Sequence, residues 1–254
     1  MTTTTATRFE MGRVIGNTFE VLGKNFGPFL LVALVLSGIP AFVLQMISVP
    51  HAGFNASASV LNGVFGLIRG VLAFVLQGAL VTGAISSLNG NRIDLKAMLS
   101  RGASAALPLF GLAILEGLGV ALGIVLLLIP GLILATVWSV AVPALVVERT
   151  GVFGAFNRSG DLTRGHRWAV FGLMVVYAIL SWIVMGVSGA IALGVAGGFG
   201  ALANGGSSIP FAVFEGVIAT LLGALSGAGV AALYYELRLI KEGVAPQAVL
   251  DTFS

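Results

Sequence analysis

The sequence predicts an all-α integral membrane protein: six transmembrane helices arranged as three hairpins, each preceded by an amphipathic helix at the cytoplasmic surface. Three observations carry this reading. Hydrophobic residues make up 57% of the 254 residues and charged residues only 9%, against about one quarter charged in an ordinary soluble domain. Six apolar runs are long enough, or nearly so, to span a hydrocarbon core about 30 Å thick. Twelve of the thirteen basic residues fall in segments on one side of those runs, the distribution that marks cytoplasmic loops.

Backbone polar groups inside lipid must be satisfied within their own segment, so each run is expected to be helical. The leading region is polar, contains Glu10 and Glu20, and is too long for the charged start of a cleavable signal. Within it Phe9, Gly12, Ile15, Phe19, Leu22 and Phe26 recur every three or four residues, which predicts the first amphipathic helix. Spans follow over 28–48 and 60–86, the first expected to kink at Pro40.

Leu95, Met98 and Leu99 mark a second amphipathic helix with Asp94 as its N-cap, ahead of a span over 107–129. At Ile129-Pro130-Gly131 proline cannot continue the helical bonding and glycine permits a reversal, so a sharp outer turn is expected there. It leads into a span over 131–147. Val152, Phe153, Phe156 and Leu162 mark a third amphipathic helix, introduced by Thr150 and ended near Gly165, before spans over 168–194 and 210–235. Trp168, directly after His166-Arg167, reads as an interfacial anchor. The chain 1–254 thus forms one polytopic domain.

The expected outer segments, 49–59, the Pro130-Gly131 turn and 195–209, contain no Lys, Arg, Asp or Glu. Both termini are therefore expected in the cytoplasm of a bacterial cell, with the protein in the inner membrane. The basic side faces anionic lipid headgroups, which attract each Lys or Arg by about 1 kcal/mol. A net charge of +3 does not describe a surface for nucleic acid. The absence of cysteine excludes disulfides and thiol nucleophiles. Gly66 and Gly70, Gly119 and Gly123, and Gly223 and Gly227 have the spacing that lets membrane helices approach closely. Packing within the bundle is the expected use, and a face for a second copy the lesser one.

Three ionisable residues lie within spans: Arg69, Glu116 and Glu215. Such residues are costly in lipid and usually face a protein interior or a wet cavity. At about 1.5 Å per residue, Arg69 lies between the two glutamates in depth, within reach of either. The cluster reads as a structural ion pair fixing helix register, or as a substrate, headgroup or proton site. No catalytic constellation accompanies it. His51 and His166 fall on opposite sides, Ser104 in Gly102-Ala103-Ser104-Ala105 lacks a base, and no Gly-Lys-Ser/Thr phosphate loop occurs. No metal site or cofactor is expected.

The inner loop after the fourth span has the strongest local signature. Pro143 and Glu148-Arg149 are followed by Ala155, Arg158, Ser159, Leu162, Thr163 and Gly165, and Tyr234-Tyr235-Glu236-Leu237-Arg238 closes the last span. With Ile129-Pro130-Gly131, these residues resemble the membrane-domain family of glycerophosphoryl diester phosphodiesterases, which also occurs as stand-alone bacterial inner-membrane proteins. In the fused members the hydrolase is a separate soluble barrel, expected to be absent here, so the resemblance implies a membrane module without that activity and transfers no catalytic residue.

Arg158, Ser159, Asp161 and Arg164 are candidates for binding a headgroup or a partner, with helix capping as the alternative. The expected function is a non-enzymatic scaffold or accessory module in envelope or lipid processes, partnered by another membrane protein or a second copy. The alternative is a small lipid or solute transporter built on the buried Arg/Glu site.

Overall fold

The computed structural model describes residues 9–40, 42–43, 56–196 and 209–243, and all regular structure among them is helical. Among the described residues five stretches are long and apolar enough to cross a membrane: Val60–Leu88, Leu95–Leu126, Leu128–Glu148, Arg167–Ile191 and Thr220–Glu242. A sixth is reached only if α1 (Met11–Lys24) and the segment Phe26–Gly38, bent by 81° to each other, count as one span.

Helix α1 buries Val14, Thr18 and Val21. This buried set lies one position off the predicted apolar stripe, of which Phe19 is 56% exposed. Helix α2 (Phe26–Ala33) runs into a π-helical turn, Leu34–Gly38, where the Ile39 N–H bonds back to the Leu34 carbonyl. Pro40 explains the widened turn. Its ring has no N–H and would crowd the carbonyl of Leu36 in a regular α-helix. Residues 44–48 of the predicted first span lie outside the described residues, as does His51.

Helix α3 (Ala56–Leu88) leads to α4 (Leu95–Leu126), whose start is capped by Asp94 accepting the Lys96 N–H at 2.9 Å. The second amphipathic helix is not separate here. It is the first part of α4, which continues through Pro108. Two features permit this. Membrane helices tolerate an internal proline, and Gly102 brings α4 so close to α3 that a Cβ there would lie 2.3 Å from the Val75 carbonyl. Gly78 faces Gly102 at this crossing, within the most extensive helix pairing of the fold.

The sharp turn falls at Leu127, in extended conformation, rather than at Pro130-Gly131. Pro130 instead occupies the first turn of α5 (Leu128–Trp138), where an N–H has no helical partner to lose. Gly131 serves contact, not reversal: a Cβ on Gly123 would lie 2.8 Å from the Gly131 Cα. The predicted fourth span is broken at Ser139-Val140, and α6 (Ala141–Glu148) completes it. Helix α7 (Gly151–Thr163) buries Ala155, Ser159, Leu162 and Thr163, while Phe153 is exposed and the Thr150 side chain makes no cap bond. Helices α8 (Arg167–Ala196) and α9 (Ile209–Glu242) follow, and α9 runs past the predicted end at Tyr235.

Burial is uneven along the bundle. Ile85, Met98, Leu109, Val140, Leu162, Tyr234 and Leu237 are buried, in the halves of the helices nearest the basic loops. In the opposite halves Leu67, Leu118, Val125, Trp182 and Met185 are exposed apolar side chains. Gly66 and Gly70 belong to that exposed portion, and among the described residues nothing lies within 4 Å of a Cβ added to either.

Candidate functional site

An open cavity of about 380 Å³ lies between α3, α4, α5, α6, α8 and α9. Gln77, Glu116, Trp138, Ser139, Tyr177 and Ser226 supply its polar and aromatic lining, with apolar walls from residues such as Leu173 and Leu233. Among the described residues Glu116 is the only carboxyl group in that lining, and it makes no ion pair. The Ser139 hydroxyl is buried without a hydrogen-bond partner.

Two glycines set the aromatic walls. Trp138 lies against Gly119, where a Cβ would meet the indole at 2.6 Å, and its ring centroid is 4.6 Å from that of Phe156. Tyr177 lies against Gly229, where a Cβ would be 2.8 Å from the phenol. The Thr18 hydroxyl donates to the Val14 carbonyl at 2.8 Å, so the Tyr177 hydroxyl is the donor in its 2.7 Å bond to Thr18. These contacts fix both rings at the edge of the cavity. A carboxyl group in one cavity with an indole and a phenol can attract a cation, by charge when ionised and through a ring face.

A second polar assembly ties α6, α7 and α9 together nearer the basic loops. Arg158 donates to Glu148 at 2.8 Å and also to Glu242. Tyr234 donates to the same Glu148 oxygen at 2.7 Å, and Arg238 donates to Glu242 at 2.6 Å and to the Tyr234 hydroxyl at 3.2 Å. Burial opposes the Arg158 charge, but the bonds to Glu242 and Glu148 outweigh it and hold the guanidinium above its ordinary range. Arg13 and the fully buried Glu236 form a looser pair at 3.5 Å.

The residues singled out in the sequence are dispersed. Arg69 is exposed and makes no ion pair with Glu116; the Glu215 side chain lies outside the described residues. Of the inner-loop candidates, Arg158 is held in the ionic assembly. Ser159 is buried at the α5–α6 break, accepting from the Val140 N–H at 3.2 Å and donating to the Val137 carbonyl at 2.7 Å. Its hydroxyl thus satisfies two backbone groups where one helix breaks into the next. Asp161 and Arg164 are exposed and 3.9 Å apart. Glu148, Tyr234 and Glu242 were not read from the sequence as one group. The signal was the Arg238–Glu242 spacing of four, hidden by ending the last span at Tyr235.

A UPF0259 membrane protein of Pectobacterium carotovorum subsp. carotovorum (strain PC1) is 25% identical over 183 residues, which cover 64% of this chain and 73% of that protein. No family model matches the chain, so the phosphodiesterase membrane-domain likeness gains no support from this comparison. No solved structure matches. With its apolar helices, this similarity identifies a multi-pass membrane protein.

Proposed function

We propose that this membrane protein is a small carrier that binds an amphiphilic cation in the cavity around Glu116. The observation that carries the reading is the cavity lining: one carboxyl group with no basic residue among the described lining, together with Trp138 and Tyr177. An unmatched charge at that depth is costly and is expected to be met by a ligand or a proton. The reading includes an inner-membrane location with both termini cytoplasmic, supported by the confinement of basic residues to one set of loops. It assigns no catalytic residue, no metal and no cofactor.

The test uses protein reconstituted in liposomes and the amphiphilic cation tetraphenylphosphonium as probe. Saturable uptake by the parent, lost in a folded Glu116→Gln variant, supports the carrier. Uptake equal to that of empty liposomes, or unchanged by Glu116→Gln, sinks it.

A second reading is a non-enzymatic scaffold or accessory module in envelope or lipid processes. The outward-facing Gly66 and Gly70 favour it, since small residues with open space before them let another helix approach closely. The phosphodiesterase membrane-domain likeness in 143–168 belongs to the same reading. Crosslinking in the native membrane from position 66 distinguishes it: a discrete adduct with one partner or with a second copy is expected, and none for the carrier alone.

A further inference from the structure

Arg13, Lys24, Arg158, Arg164 and Arg238 each lie within 3.9 Å of a carboxylate. Arg101 and Arg149 make no ion pair among the described residues, yet they line one cleft of about 360 Å³ between α4 and the junction of α6 with α7. The other lining residues are Ser104, Ala105, Pro108, Leu145, Val146 and Gly151, so no acid stands between the two guanidinium groups, which repel each other. The Ser104 hydroxyl is occupied, donating to the Arg101 carbonyl at 3.0 Å.

The backbone supplies an independent observation. Arg149 is the one non-glycine with positive φ among the described residues, at 53°. It ends α6 in the left-handed conformation, a position that glycine fills at lower cost. A glycine does stand two residues later, at Gly151. Strain kept at a side chain with no internal ion pair directs attention to what that side chain meets outside the fold.

We propose that Arg101 and Arg149 form a binding site for a phosphate group, carried by a phospholipid headgroup or by a soluble phosphate. Guanidinium groups match phosphate oxygens through paired N–H donors, and an anion between them removes their mutual repulsion. The apolar part of the lining, Ala105, Pro108, Leu145 and Val146, adjoins Leu107, which is 79% exposed. That surface suits an acyl chain beside the headgroup. The site is separate from the Glu116 cavity and does not depend on the carrier reading.

Native mass spectrometry of the protein in a neutral detergent tests it, with phosphatidylglycerol, diacylglycerol and inorganic phosphate as probes. Retention of phosphatidylglycerol without inorganic phosphate assigns the lipid source, and the reverse assigns the soluble one. Either supports the site, provided that Arg101→Gln with Arg149→Gln weakens retention about tenfold while Arg92→Gln and Lys241→Gln, outside the cleft, do not; a tenfold change corresponds to about 1.4 kcal/mol. Arg149→Gly is the second variant, because it relieves the backbone strain. It is expected to unfold at or above the parental temperature and still lose binding. Parental retention by Arg149→Gly, diacylglycerol held as well as phosphatidylglycerol, or no retention of either phosphate probe overturns the proposal.

Discussion

The Tyr234 hydroxyl donates to Glu148 at 2.7 Å, joining α9 to the end of α6 across 86 residues of sequence. The same hydroxyl accepts from Arg238 at 3.2 Å, so one phenol oxygen links two charged groups that do not touch each other. Removing it leaves a half-buried carboxylate short of a donor. Tyr234→Phe is expected to cost about 1–3 kcal/mol, read as a lower unfolding temperature in detergent. In a double-mutant cycle with Glu148→Gln the two losses should be clearly less than additive; full additivity means that the bond contributes nothing.

Ser159 satisfies two backbone groups at the α5–α6 break, so Ser159→Ala should destabilise by about 1–3 kcal/mol. Asp161→Ala and Arg164→Ala alter an exposed pair and should each stay within about 0.5 kcal/mol. Equal effects at 159 and 161 would contradict that role.

Two helical glycines should respond oppositely to alanine. At Gly102 the new Cβ meets the Val75 carbonyl at 2.3 Å, so α3 and α4 must separate, at a cost of about 1–3 kcal/mol. At Gly66 nothing lies within 4 Å, and the gain in helix propensity should stabilise by up to about 1 kcal/mol. Thermal unfolding of the two single variants decides this. Loss of stability at Gly66 would indicate a neighbour on that face.

Arg69 and Glu116 share no ion pair, so Arg69→Ala and Glu116→Gln should combine additively, within about 0.5 kcal/mol. A double variant more stable than the sum of the single effects would show that the two charges interact after all.

Helix positions were legible because lipid demands long apolar runs; those runs survive in α3 and α8 with shifts of a few residues at their ends, while α4 starts earlier and α9 ends later because each continues into its flanking charged segment. What surrounds each helix was not legible. The glycine spacing was read equally at 66/70 and at 119/123, yet only the second meets Trp138 and Gly131, because the opposing helix decides the contact. Pro130 was read as a turn from its chemistry alone, although the same chemistry suits a first helical turn equally well. Glu116 stood out because a charge in an apolar run is conspicuous. Its companions Trp138 and Tyr177 are ordinary residues of a membrane helix until the fold brings them to the same cavity.

The uneven burial along the bundle makes bilayer thickness a force that acts on one end. The halves near the basic loops are tied by Glu148, Arg158 and Tyr234, whereas Val125 at the far end of α4 is 82% exposed. From Leu107 to its end at Leu126 this helix rises about 30 Å at 1.5 Å per residue, close to the thickness of the hydrocarbon core. A change in bilayer thickness is therefore expected to act first on the far halves, while the ionic base keeps its register.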